Sequence, residues 1–107
     1  MEKEETLLSD KLPSTEASIR ELCGLFARIE DGDLVYDFFG CLFTPAEIKD
    51  LAKRWNLVKE LDAGTTQREI ARKYGMSLCN ITRGSRELKK ENSAFRRVLN
   101  ILKSRET

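Results

Sequence analysis

Residues 67–77 read QREIARKYGMS, and they are the clearest indication of how the chain folds. Its first half predicts a helix of two turns, which Gly75 ends because glycine accepts the left-handed backbone conformation of a tight turn. Ala71 is small at the point where a second helix must cross closely, and Ser77 is a typical N-cap for that helix. The stretch therefore predicts a helix-turn-helix, which we place over residues 66–90.

The rest of the chain predicts helices on both sides of this motif, because apolar residues recur at the spacing of buried helical stripes. Thr44 and Thr66 each precede a glutamate by three residues, the spacing of a capping box. Residues 1–13 are predicted to be an acidic, flexible arm and residues 14–107 a single helical domain. The breaks between six predicted helices fall at Asp31-Gly32-Asp33, before Thr44, at Gly64, at Gly75 and at Glu91-Asn92-Ser93. The predicted fold class is all-α.

The charge of the chain is strongly asymmetric. The net charge is +1, but residues 1–43 carry four Lys/Arg against ten Asp/Glu, and residues 44–107 carry fifteen against eight. Residues 67–90 contain seven basic residues and only two acidic ones. Such a cationic stretch suits a polyanion such as DNA, although a solvated, lysine-rich helix surface is the alternative interpretation.

The residue inventory disfavours metal sites, catalysis and membrane insertion. The chain has no histidine, and its three cysteines (Cys23, Cys41 and Cys79) fit a reducing cytoplasm rather than a disulfide framework or a zinc site. We expect Cys23 and Cys41 to be small core residues. No phosphate loop and no nucleophile beside a base is present, so we predict no catalytic residue. The sequence has no apolar run of about 18 residues, so we predict no membrane span. Its acidic beginning lacks the apolar core of a signal sequence, so nothing predicts export.

The string Ile81-Thr82-Arg83-Gly84-Ser85 makes the interpretation more specific. Together with Gln67-Arg68-Glu69 and with Thr44-Pro45 before a helix that bears Arg54, it resembles the tryptophan repressor family. The resemblance covers about residues 38–103. It implies a six-helix subunit in an intertwined homodimer, which represses transcription of tryptophan biosynthesis genes when L-tryptophan binds as corepressor.

The resemblance also implies a tryptophan site between the dimer core and the helix-turn-helix. Arg54 and Arg83 would sandwich the indole ring, since planar cations stack well on an aromatic face, and Gly84 would leave room for the ring. The other implied contacts are Thr44 with an arginine for the carboxylate, and backbone carbonyls near Cys41 and Phe43 for the ammonium group.

Three features depart from the family. Glu87 stands where the family has a serine near the ligand's ammonium, so a carboxylate could pair with the ammonium or with a nearby arginine; we favour the first. Cys41 and Phe43 replace leucines of the pocket wall, which could alter its shape. The connection from Gly64 to Gln67 is one residue shorter, which would allow the helix-turn-helix a different angle.

For DNA contact, the resemblance implies a set of seven positions in the helix-turn-helix, namely Gln67, Arg68, Leu78, Cys79, Asn80, Thr82 and Lys89. Arg68 is the candidate for bidentate contact with guanine, and Lys89 is the candidate for a phosphate contact. The residues at positions 78–80 differ from those of the family, so the operator sequence could differ too. The effector would act by a population shift toward the angle that fits successive major grooves.

Two other interpretations stay open at this point. The chain could be a helix-turn-helix regulator with a different small-molecule effector or none, which a mobility shift with and without tryptophan would reveal. It could also be a helical interaction module that binds no DNA, which a steep salt dependence of DNA affinity would exclude.

Overall fold

The computed structural model describes residues 12–105, and these form six α-helices without a strand. The helices are α1 (Thr15–Arg28), α2 (Gly32–Leu42), α3 (Pro45–Asp62), α4 (Gln67–Tyr74), α5 (Leu78–Lys89) and α6 (Ala94–Arg105). The prediction of an all-α, six-helix subunit is confirmed. Residues 1–11 of the predicted acidic arm lie outside the described residues, and the proposed domain bounds stay a prediction.

Capping chemistry explains where the helices begin. The capping box at Thr44 is complete, since its hydroxyl accepts from the Glu47 N–H at 3.2 Å and the Glu47 carboxylate accepts from the Thr44 N–H at 2.9 Å. At Thr66 only the first half of the predicted box forms. The hydroxyl accepts from the Glu69 N–H at 3.2 Å, while the Glu69 carboxylate contacts Arg72 one turn later.

The second helix begins two residues earlier than the sequence predicts. The Asp31 carboxylate accepts hydrogen bonds from the backbone N–H groups of Asp33 at 3.0 Å and of Leu34 at 3.4 Å. Because this side chain satisfies the free donors of the first turn, Gly32 and Asp33 belong to α2 rather than to the break before it. The break itself covers residues 29–31 and so lies two residues earlier than predicted.

The described residues divide into two compact units, with the boundary between Leu42 and Phe43. In the first unit, the Phe26 ring packs edge-on against Phe38 and Phe39 at centroid distances of 5.8 and 5.5 Å. No residue of α1 or α2 is buried in the single chain. The expectation that Cys23 and Cys41 lie in a core is therefore wrong for this chain alone, since both are exposed.

The second unit contains a small core between α3, α4 and α5. Leu57, Ile70 and Ile81 form its buried cluster, and Ile70 and Ile81 are 0% exposed. Ala71 packs against this cluster, as predicted for a helix crossing. Gly84 is buried where α5 approaches α3. The approach is close, since a Cβ at this position would lie 3.1 Å from Leu57 Cδ2.

The last helix is fixed to the end of α3 by an acidic side chain. Asp62 pairs with Arg96 at 2.8 Å and with Lys103 at 2.7 Å, and these partners, Lys103 foremost, hold its pKa below the usual value. Leu99 of α6 is buried, whereas the neighbouring Val98 is 49% exposed. Within residues 12–105, no helix is long and apolar enough to cross a membrane.

Candidate functional site

The helix-turn-helix consists of α4 and α5, and we call residues 66–90 the head. Gly75 ends α4 with φ 64° and ψ 34°, the left-handed conformation that the sequence predicts. Ser77 caps α5, since its hydroxyl accepts from the Asn80 N–H at 3.3 Å. The tight turn and the buried pair Ile70 and Ile81 hold the two helices against each other.

Most of the predicted DNA-contact residues are on the surface of the head. The exposed ones are Arg68, Leu78, Cys79, Asn80 and Lys89. Gln67 and Thr82 are partly buried and contact each other, because the Thr82 hydroxyl donates to the Gln67 amide oxygen at 3.1 Å. These two residues therefore also join α4 to α5.

The positive charge of the head is only partly neutralised within the chain. Arg72, Lys73 and Lys90 form ion pairs with glutamates. In the described part of the chain, Arg68 and Lys89 form none. Both side chains are thus available for an external anion such as a DNA phosphate.

A polar cluster around Glu60 fixes the first helix of the head to α3. Its carboxylate accepts from Lys73 Nζ at 2.6 Å, from the Thr65 hydroxyl at 2.7 Å and from the Tyr74 hydroxyl at 3.0 Å. These hydrogen bonds, that from Lys73 foremost, lower the pKa of Glu60 to about 2. This cluster is not predictable from local sequence, because Lys73 follows Glu60 by thirteen positions and no local motif links them.

Replacing Glu60 by glutamine, with stability measured at several pH values, tests whether the ionised carboxylate of Glu60 stabilises the fold. The folded-state pKa of Glu60 is depressed from 4.5 to about 2, so its stabilising effect is present above pH 4.5 and is lost as pH falls toward 2. We expect Glu60→Gln to lower the melting temperature by several degrees at pH 7 and by progressively less below pH 4.5. Thermal unfolding followed by circular dichroism measures this difference.

Glu91→Gln is the matched control, because Glu91 is exposed and forms no ion pair among residues 12–105. It should leave the melting temperature close to that of the wild type at each pH. A Glu60→Gln deficit that stays constant from pH 7 to pH 2 would contradict an ionised Glu60 as the stabilising species.

A pocket of about 370 Å³ lies beside the second helix of the head, within the range of small-molecule sites. Its lining residues are Arg54, Leu57, Val58, Met76, Asn80, Arg83, Gly84, Glu87 and Phe95. Four residues of the predicted tryptophan site, Arg54, Arg83, Gly84 and Glu87, are thus brought to one cavity. The pocket combines two guanidinium groups, one carboxylate and an apolar floor.

The other three predicted ligand residues do not line this pocket. Thr44 caps the beginning of α3, ten residues before Arg54, which corresponds to about 15 Å along a helix axis. Phe43 directly precedes that cap, and Cys41 lies in α2 of the other compact unit. Within one chain, the structure therefore brings together only part of the predicted set.

Glu87 has a partner that the sequence analysis did not consider. Its carboxylate pairs with Lys90 Nζ at 2.8 Å, and this hydrogen bond and charge, with a smaller contribution from Arg83, lower the pKa of Glu87. The spacing of three residues on a helix was the available signal. In this chain the carboxylate is thus ionised and already paired.

Asn80 belongs to both candidate sites. It is one of the predicted DNA-contact residues, and in the structure it is exposed but also lines the pocket. Its position three residues before Arg83 and four before Gly84 puts all three on one face of α5, which the sequence alone could have indicated. The same helix therefore carries both predicted DNA-contact residues and residues that line the pocket.

Comparison with known proteins gives a consistent family. The family described as Trp repressor protein matches residues 17–103. The Trp operon repressor homologs of Chlamydia caviae and Chlamydia trachomatis serovar D are 41% and 38% identical to the chain, covering 74% and 70% of it and 76% and 81% of their own lengths. The homolog of Xylella fastidiosa M23 is 31% identical over 74% of this chain and 87% of its own.

A solved structure supports the same assignment. The crystal structure of a TrpR like protein from Eubacterium eligens superposes with a TM-score of 0.69 at 32% identity, and the match covers 80% of this chain and 89% of that one. The family match runs from the first turn of α1 to the last turn of α6 and includes the head and the residues that line the pocket. The chain therefore belongs to the Trp repressor family, and it is a repressor-like, DNA-binding regulator rather than an enzyme.

Proposed function

We propose that the chain represses transcription by binding operator DNA as a homodimer when L-tryptophan fills the pocket, and that its targets are tryptophan biosynthesis genes. We also propose that it acts in the cytoplasm. One observation carries the proposal: α5 presents exposed residues at its beginning and lines the pocket with Arg83, Gly84 and Glu87. A ligand there would contact the helix that reads DNA.

The chemistry of the pocket suits a zwitterionic aromatic amino acid. Arg54 and Arg83 supply planar cations that can stack on an indole ring or bind a carboxylate. Glu87 is the only acidic side chain among the described residues that line the pocket, and it can accept from an ammonium group. Leu57 and Val58 are buried beneath them and supply apolar contact.

The exposed apolar surface of the first unit supports a homodimer. Ile19 and Leu34 are both 51% exposed, and α1 and α2 bury no residue in the single chain. A second copy would remove this surface from water. We further propose that Thr44 and Phe43 reach the ligand from that second copy, since in one chain they lie before the beginning of α3, whereas the first residue of α3 that lines the pocket is Arg54.

The proposed contacts with DNA divide into two kinds. Arg68 would read a guanine, with Gln67, Thr82 and residues 78–80 contributing further contacts near the beginning of α5. Lys89 would hold a phosphate without regard to sequence. Two heads of a dimer would then occupy successive major grooves.

DNA binding measured across a tryptophan titration tests the proposal. Duplexes would first be selected from a random library with L-tryptophan present, and the affinity of the selected duplex would then be measured by fluorescence anisotropy. We expect L-tryptophan to raise the affinity at least about fivefold, the lower end of allosteric coupling. L-phenylalanine at the same concentration serves as the ligand control.

Each alternative has its own outcome. Tight, sequence-specific binding that ignores tryptophan would indicate a regulator with another effector or none. Failure to select any duplex, together with a weak salt dependence of DNA affinity, would indicate an interaction module that does not bind DNA.

A further inference from the structure

We infer that Lys90 competes with the ammonium group of the effector for the Glu87 carboxylate, and so determines how strongly the pocket selects α-amino acids. The inference rests on the proposed function of the pocket, whose ligand it takes to be an aromatic amino acid. Lys90 itself does not line the pocket.

The geometry makes Lys90 an internal substitute for the ligand. Lys90 Nζ lies 2.8 Å from Glu87 Oε2, and the two side chains are 63% and 46% exposed. Lys90 follows α5 directly as its C-cap, and its backbone N–H donates to the Glu87 carbonyl at 3.3 Å. The side chain is therefore held next to the pocket without filling it.

The chemistry of the two cations is the same. A lysine ammonium and an α-ammonium both donate N–H groups to a carboxylate, and Lys90 already holds Oε2 and neutralises the charge of Glu87, so a contact between the ligand's ammonium and Glu87 is weaker while Lys90 is paired there. The lowered pKa of Glu87 is consistent with a carboxylate that Lys90 already satisfies. An exposed pair of this kind shifts an equilibrium by no more than about fivefold, so the effect tunes affinity rather than abolishing it.

The competition also affects ligands without an ammonium group. When Lys90 neutralises Glu87, the pocket repels an anionic ligand less than a bare carboxylate would. Removing the lysine charge should thus change the affinities for two ligands in opposite directions. Binding of L-tryptophan should strengthen, and binding of indole-3-propionate, which lacks the ammonium, should weaken.

Isothermal titration of both ligands into the full chain, without DNA, tests the inference. We expect Lys90→Gln to raise the affinity for L-tryptophan by about two- to fivefold and to lower that for indole-3-propionate. Lys90→Arg keeps the ion pair and should behave like the wild type. Arg86→Gln removes the same charge from α5 at a residue that neither lines the pocket nor pairs with Glu87, and it should leave tryptophan affinity unchanged.

A double variant tests whether Lys90 affects tryptophan affinity through Glu87. In a Glu87→Gln background, Lys90→Gln should no longer alter tryptophan affinity, because the carboxylate that both cations share is gone. Unchanged or weaker tryptophan binding by Lys90→Gln would overturn the inference while leaving the proposed effector intact. A wild-type chain that binds no tryptophan would overturn the proposed effector and this inference together.

Discussion

Replacing Ile81 by alanine is expected to lower the free energy of unfolding by about 2–5 kcal/mol, the range for large-to-small changes in a packed core. Ile81 is 0% exposed and lies in the cluster with Leu57 and Ile70, where α5 meets α3 and α4. The cavity left by the lost methyl groups would loosen all three helices at once. Urea unfolding at one fixed protein concentration measures the change, because oligomer stability depends on concentration.

Leu78→Ala is the matched control for this prediction. Leu78 lies on the same helix but is 57% exposed, so its truncation should change the free energy of unfolding by no more than about 0.5 kcal/mol. Equal losses for the two variants would show that α5 is not fixed through Ile81.

Replacing Arg68 by alanine is expected to weaken the free energy of binding to the selected operator by about 1–3 kcal/mol, which lowers the affinity roughly 5- to 150-fold. Arg68 is the second residue of α4, exposed, and without an ion pair within residues 12–105. Its guanidinium can therefore form two parallel hydrogen bonds with a guanine edge. Anisotropy with the selected duplex and with random duplex, at one salt concentration and saturating L-tryptophan, measures the loss on each.

Lys89→Ala separates base reading from charge. It should weaken binding to the selected and the random duplex alike and reduce the salt slope by about one, as expected for one lost phosphate contact. If Arg68→Ala also reduced both affinities equally, Arg68 would be a phosphate contact and not a base-reading residue.

The elements that the sequence predicted well depend on neighbouring residues. The caps at Thr44, Thr66 and Ser77 and the left-handed Gly75 each act within four residues along the chain, so their patterns are visible without tertiary structure. The beginning of α2 was predicted too late because an aspartate before a glycine is typical of a turn. In the structure, the carboxylate of that aspartate caps the helix instead. Local chemistry was present there but ambiguous.

The parts that the sequence did not predict depend on contacts between distant segments. Glu60 meets Lys73 across the connection between α3 and α4, and periodicity contains no information about such a contact. An apolar stripe indicates that a face is to be covered but not by what, and so Cys23 and Cys41 were placed in a core that one chain does not form. The resemblance predicted four residues that line the pocket, whereas Lys90, which pairs with Glu87 from outside the lining, belongs to no motif and was not predicted.

The glycine at position 84 has a consequence for how this protein can change over time. A methyl group at that position would press on Leu57, which is itself only 4% exposed and packed in the buried cluster with Ile70 and Ile81. Leu57 also lines the pocket, so a shift of its side chain by a few tenths of an ångström would be felt in the cavity. A residue with a Cβ at position 84 would therefore be accommodated either by such a shift of Leu57 or by a smaller residue at position 57.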